Sequence, residues 1–81
     1  MSREEVFAKV QEIFRDVFDD DELIITDLTN SDEIEDWDSL EHIALIVSME
    51  KEFDLKFDIK KINTLENVGE MVDLIKEKLD N

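Results

Sequence analysis

Ser39 and His42 are the two side chains here whose types and spacing could do nucleophilic chemistry. Three residues apart on a helix, they would be neighbours on one face. A serine nucleophile also needs a base oriented by a third group, and donors for the developing oxyanion. There is no Gly-x-Ser-x-Gly elbow, and His42 is the only histidine. Hydrolysis is therefore a poor fit, and His42 reads as an ordinary exposed histidine on a helix. What remains for Ser39 is a role as an acceptor. Trp37-Asp38-Ser39-Leu40 falls where a long acidic loop ends and an apolar-periodic helix begins. A hydroxyl there stands beside the positive end of a helix dipole, a favourable place to attach a group that carries a phosphate. The plainer alternative is a serine that only caps the helix.

Metal chemistry fits less well. One histidine and no cysteine leave only carboxylates, which suit weakly held hard cations. Neither Asp19-Asp20-Asp21-Glu22 nor Asp32-Glu33-Ile34-Glu35-Asp36 has the central glycine and closing glutamate of a calcium loop. No metal site is expected. Acid–base work by paired carboxylates needs an enclosed pocket to separate their pKa values, and a solvated acidic face is the simpler reading.

The elements that must position Ser39 are helical. In 81 residues there is room for one small domain, and 42% hydrophobic residues suffice for one modest core. Proline is absent and Gly69 is the only glycine, which disfavours turn-rich β architectures. Ser2 to Glu5 reads as a capping box, and Val6, Val10, Ile13 and Val17 follow at helical spacing with Phe7, Phe14 and Phe18 beside them. Residues 20–38 lack helical periodicity and form a long connection, with Leu23, Ile24, Ile25, Leu28 and Ile34 as expected anchors. A second helix is expected from Ser39 to Phe53, capped by Asp38, with Leu40, Ile43, Ala44, Ile46 and Val47 as its buried stripe. Leu55 and Phe57 tuck inward. Asp58 caps a short turn from Ile59 to Asn63. Thr64 caps a last helix built on Leu65, Val68, Val72, Ile75 and Leu79. The expectation is an all-α four-helix bundle in one domain, residues 1–81.

The formal net charge is -15, from 24 acidic and 9 basic residues. A nucleic acid partner is excluded on this ground, and so is an anionic membrane surface. No apolar run can span a bilayer and no secretory signal is visible, so a cytoplasmic chain without membrane insertion is expected. Basic patches on other proteins are the natural partners.

Taken together, Asp38-Ser39-Leu40-Glu41, the apolar helix after it, Phe53-Asp54 and the final Val68, Val72, Ile75 helix resemble the acyl carrier protein family over nearly the whole chain. The resemblance implies a four-helix bundle with a long first loop and a short third helix. It implies that Ser39 is esterified through a phosphodiester to phosphopantetheine, donated from coenzyme A by a magnesium-dependent phosphopantetheinyl transferase. The arm's thiol would carry acyl groups as thioesters between acyl-transferring or synthase enzymes of fatty acid, lipid or secondary-metabolite synthesis. The protein would be a free-standing monomeric carrier with no reaction of its own. By motif position, docking on basic enzyme patches falls to Asp38, Leu40 and Glu41, and more loosely to Ile43, Glu50 and Glu52. The space between the second and third helices could shelter an acyl chain, with Ala44, Val47, Ile59 and Ile62 as candidates that the core explains equally well.

Three departures lie on the docking face: Asp36-Trp37 where Gly-Ala is common, Ala44 where an acid is common, and Lys51 in a usually more acidic stretch. They leave open a specialised acyl carrier, an aminoacyl or peptidyl carrier, and an unmodified acidic adaptor of the same fold. Self-repulsion at this charge predicts that added salt or a divalent cation raises the melting temperature. A salt titration followed by thermal unfolding checks this, and a flat response contradicts it.

Overall fold

The computed structural model describes residues 1–62 and 64–80, with the Ile59 side chain outside that description. Four helices occupy the described residues: α1 (Arg3–Val17), α2 (Ser39–Phe53), α3 (Ile59–Ile62) and α4 (Val68–Asp80). The all-helical expectation holds, with the long first connection and the short third helix. Asn63, expected to end the third helix, lies outside the described residues.

Helix α1 begins as the capping box predicts. Ser2 Oγ accepts from the Glu5 amide, and Glu5 Oε1 accepts from the Ser2 amide, both at 3.1 Å. The backbone bond first, and the hydroxyl second, hold the Glu5 carboxyl below its ordinary range. Val6, Val10, Ile13 and Phe14 are the buried face of α1, which packs against both α2 and α4. Leu45, Met49 and Phe53 from α2 and Val68, Met71, Val72 and Ile75 from α4 complete the core, with Ile25 added from the loop. Helix α1 ends at Val17, where the acidic run begins and Asp19 takes a left-handed conformation at φ 52°. Aspartate tolerates that conformation better than most side chains.

Two sequence expectations need correction. Helix α2 buries Leu45, Ile46, Met49 and Phe53, while Leu40, Ile43 and Val47 are 72%, 58% and 45% exposed. Of the expected stripe only Ile46 is buried, and Ala44 is half-buried. Apolar residues sit on two faces of α2, so periodicity alone could not choose between them. Helix α4 starts one turn later than expected. Asn67 Oδ1 accepts from the Glu70 amide at 2.9 Å in the capping position. Thr64 instead closes α3, with its amide and hydroxyl both donating to the Lys61 carbonyl.

Residues 18–38 are irregular but tied down. Ile25 is buried, and Leu23, Ile34 and Trp37 pack against the core, whereas Ile24 and Leu28 are exposed contrary to expectation. Arg15 Nε donates to the Leu23 carbonyl and the Ile25 amide to Gln11 Oε1, at 2.8 and 3.2 Å. The loop then lies against the start of α4, where the Asp27 and Thr29 carbonyls accept from the Gly69 and Val68 amides at 2.8 and 2.9 Å. Arg3 clamps the same corner, donating to Asp73 at 2.8 Å and to Asp27 at 3.2 Å.

Gly69 is explained by this contact. A Cβ there would lie 2.8 Å from the Asp27 carbonyl oxygen, a backbone atom that cannot swing away. Alanine would gain about 1 kcal/mol of helix propensity but incur an overpacking cost of about 1–3 kcal/mol. Gly69→Ala should therefore destabilise the protein by a net ~1 kcal/mol in urea denaturation. A more stable variant would contradict the close approach.

Candidate functional site

Ser39 is the first residue of α2 and is exposed. The capping role falls to its neighbour, because Asp38 Oδ1 accepts from the Glu41 amide at 2.9 Å. The Asp38 carbonyl also takes the His42 amide at 2.9 Å. Ser39 Oγ has no hydrogen-bond partner among the described residues and stands at the start of a helix whose first-turn amides favour an anion. The simple reading of Ser39 as a cap does not hold.

The hydroxyl opens onto a shallow cleft of about 410 Å³. Trp37, Asp38, His42 and Ile43 line one part of it, and Ile62, Leu65 and Glu66 line the part formed by α3 and the link to α4. Trp37 is half-buried and meets Phe14 in a T-shaped contact at 5.2 Å. His42 is half-buried, not exposed as the sequence suggested. Its ring lies edge to edge with Trp37, centroids 6.0 Å apart and planes within 20° of parallel. The indole N–H donates to His42 Nδ1 at 3.2 Å, and His42 Nε2 lies 3.2 Å from the Ile62 carbonyl oxygen. The ring that might have served as a base for Ser39 is thus committed at both nitrogens.

The other candidate residues divide. Leu40, Ile43 and Val47 form an exposed apolar strip on α2 at helical spacing. Asp38 and Glu41 stand at its serine end. Glu50 is half-buried, and its Oε2 accepts from the Phe57 amide at 2.9 Å. Glu52 pairs with Lys9 at 3.0 Å, a bond that holds the Lys9 ammonium above its ordinary range. Of the four acyl-pocket candidates, Ile62 lines the cleft, while Ala44 and Val47 are not among its lining residues. The Ile59 side chain lies outside the described residues. Sequence reasoning missed Leu65, Glu66 and the part played by His42. The one available signal was Trp37 and His42 placed on either side of a helix start. No group of three or more metal-binding side chains occurs among the described residues.

This is the geometry of a carrier: a small helical bundle presenting one spare hydroxyl at a helix start beside an open cleft. The family described as a phosphopantetheine attachment site matches residues 8–75. The chain is 33% identical over 78 residues to the acyl carrier protein of Thermotoga maritima, a match spanning 96% of each chain. It is 35% identical over 81 residues to that of Petrotoga mobilis, spanning 99% of this chain and 94% of the relative. The solution NMR structure of holo acyl carrier protein from Geobacter metallireducens superposes with a TM-score of 0.87 at 41% identity, over 93% of this chain and 86% of that one.

The chain belongs to the acyl carrier protein family of phosphopantetheine-binding proteins. Its prosthetic group is covalent phosphopantetheine, and it carries rather than catalyses. The residues fit that group, since a phosphodiester suits the start of α2, and the cleft offers apolar Ile43, Ile62 and Leu65 with polar Ser31 and Glu66. No helix among the described residues is long and apolar enough to cross a membrane. Because Asp38 is the cap, Asp38→Ala should destabilise the protein by about 1 kcal/mol and Asp38→Asn by much less. Urea denaturation of the two variants checks this; equal losses would mean that charge, not capping, is what Asp38 supplies.

Proposed function

We propose that Ser39 is the attachment point of the phosphopantetheine arm and that the arm carries acyl groups as thioesters to partner enzymes. The observation that carries this reading is the division of labour at the start of α2: Asp38 caps the helix and leaves Ser39 Oγ exposed and spare. In the loading step Ser39 Oγ is the nucleophile toward a phosphorus of coenzyme A and gives up its proton. The nucleotide half of coenzyme A leaves. The arm supplies the thiol that this cysteine-free chain lacks. A flexible tether of this kind raises the local concentration of cargo at a partner's active site.

The docking face runs along the exposed Leu40, Ile43 and Val47 strip, with Asp38 and Glu41 beside it. It suits partners that offer an apolar patch ringed by basic residues: the phosphopantetheinyl transferase and the acyl-transferring or synthase enzymes. Charge complementarity of this sort speeds encounter more than it tightens the complex. Glu50 and Glu52 contribute through the acidic field of the far end of α2, since each is already engaged within the chain. The carrier acts as a monomer in the cytoplasm.

Incubation with coenzyme A, magnesium and a phosphopantetheinyl transferase should add one arm, read as a single mass increment, and Ser39→Ala should abolish it. Leu40→Asp should slow loading at least tenfold through weaker docking while leaving the fold intact. A Ser39→Ala variant that still gains the arm overturns the assignment.

A further inference from the structure

His42 joins parts of the molecule that are otherwise separate. An indole N–H can only donate, and a carbonyl can only accept. Trp37 Nε1 lies 3.2 Å from His42 Nδ1, so Nδ1 must be bare. The Ile62 carbonyl lies 3.2 Å from Nε2, so Nε2 must carry the proton. Both contacts demand the same neutral tautomer. A second proton would sit on Nδ1 and face the indole N–H, donor against donor.

Helix α3 receives this contact. It is four residues long, and its own hydrogen bonds come from Asp58, whose carbonyl accepts from the Lys61 and Ile62 amides and whose Oδ1 accepts from the Lys60 amide. Among the described residues, His42 to Ile62 is the one hydrogen bond between α2 and α3. Trp37, His42 and Ile62 all line the cleft beside Ser39, so this contact sets the cleft's shape.

We propose that His42 is a positioning residue for the Ser39 site: as a neutral imidazole it holds α3 and Trp37 against the first turn of α2, and protonation at Nδ1 releases Trp37 from the wall of the cleft while Nε2 keeps donating to Ile62. The use of this latch rests on Ser39 being the attachment point; the latch itself does not. Asp38 and Glu66 line the same cleft, Glu41 precedes His42 on α2, and Lys60 and Lys61 precede Ile62 on α3. Phe14, the contact of Trp37 on α1, is uncharged. The release of Trp37 follows from the opposition of two donors, not from these charges. The neutral ring holds Trp37 and the protonated ring does not.

Trp37 is the only tryptophan, so the unmodified protein gives a single indole N–H signal. An NMR titration from about pH 8 to about pH 5 follows the ring and the indole together. The indole signal should move with the His42 ring at one midpoint. His42→Gln keeps a donor and an acceptor but takes no proton, and should abolish that transition. His42→Ala loses both contacts and should move the indole signal and the α3 amides already at neutral pH; if it does not fold, the wild type and His42→Gln decide the matter. The proposal is overturned if the indole signal stays still while the ring titrates, or if it moves equally in His42→Gln. In transferase assays at neutral pH, His42→Ala should raise KM for the carrier several-fold, with His42→Gln closer to wild type. If the wild type accepts no arm, the attachment reading fails while the NMR titration still decides the latch.

Discussion

The structure depends on a close backbone approach. An irregular stretch of residues 18–38 must be held still, because it delivers the chain to Ser39. It cannot satisfy its own backbone with a regular ladder, so it borrows from α4. The first amides of a helix have no partner inside it, and here those of Val68 and Gly69 reach the carbonyls of Thr29 and Asp27. The approach is possible because position 69 has no Cβ. Arg3 then draws α1 and α4 to the same corner through Asp27 and Asp73. These ion pairs are exposed and individually weak, so their value lies in registering the loop with two helices at once.

Charge and stability pull in opposite directions. A net charge of -15 on so small a chain opposes compaction, yet it is the acidic surface that the proposed docking on basic partners uses. Several acids serve the fold as well as the surface. Glu5 closes the capping box, Asp38 and Asp58 hold helix starts, Glu50 takes the Phe57 amide, and Glu52 pairs with Lys9. A carboxylate that accepts a backbone amide stays negative and favours the positive end of a nearby helix. Local order and long-range steering are thus drawn from the same residues.

The exposed Leu40, Ile43 and Val47 strip shows the same economy. Burying it would have strengthened the bundle, since apolar area removed from water is the main stabilising term. It is left in water beside Ser39, where an apolar strip next to acidic side chains has the anatomy of an interface. Trp37 follows a different logic. Its ring packs on Phe14 and its N–H finds His42, as the polar end of a part-buried indole must find a partner.

Much of this was legible in the residues themselves. Helical periodicity, the Ser2–Glu5 box and the absence of proline determined an all-helical chain, and the Asp-Ser-Leu start of α2 marked the serine proposed as the acceptor. These signals act over three or four residues and need no partner from elsewhere. Three things were decided only by the tertiary structure. The buried face of α2 was chosen by where α1 lies, because both faces carried apolar side chains at helical spacing. The start of α4 moved to Asn67 and Val68 because the loop carbonyls at Asp27 and Thr29 engage its first amides. The half-buried place of His42 was set by contacts with Trp37 and Ile62, the second of which lies on another helix. Each is a contact between segments distant in the chain or brought together by a turn, and a one-dimensional pattern does not encode which neighbour a side chain will meet.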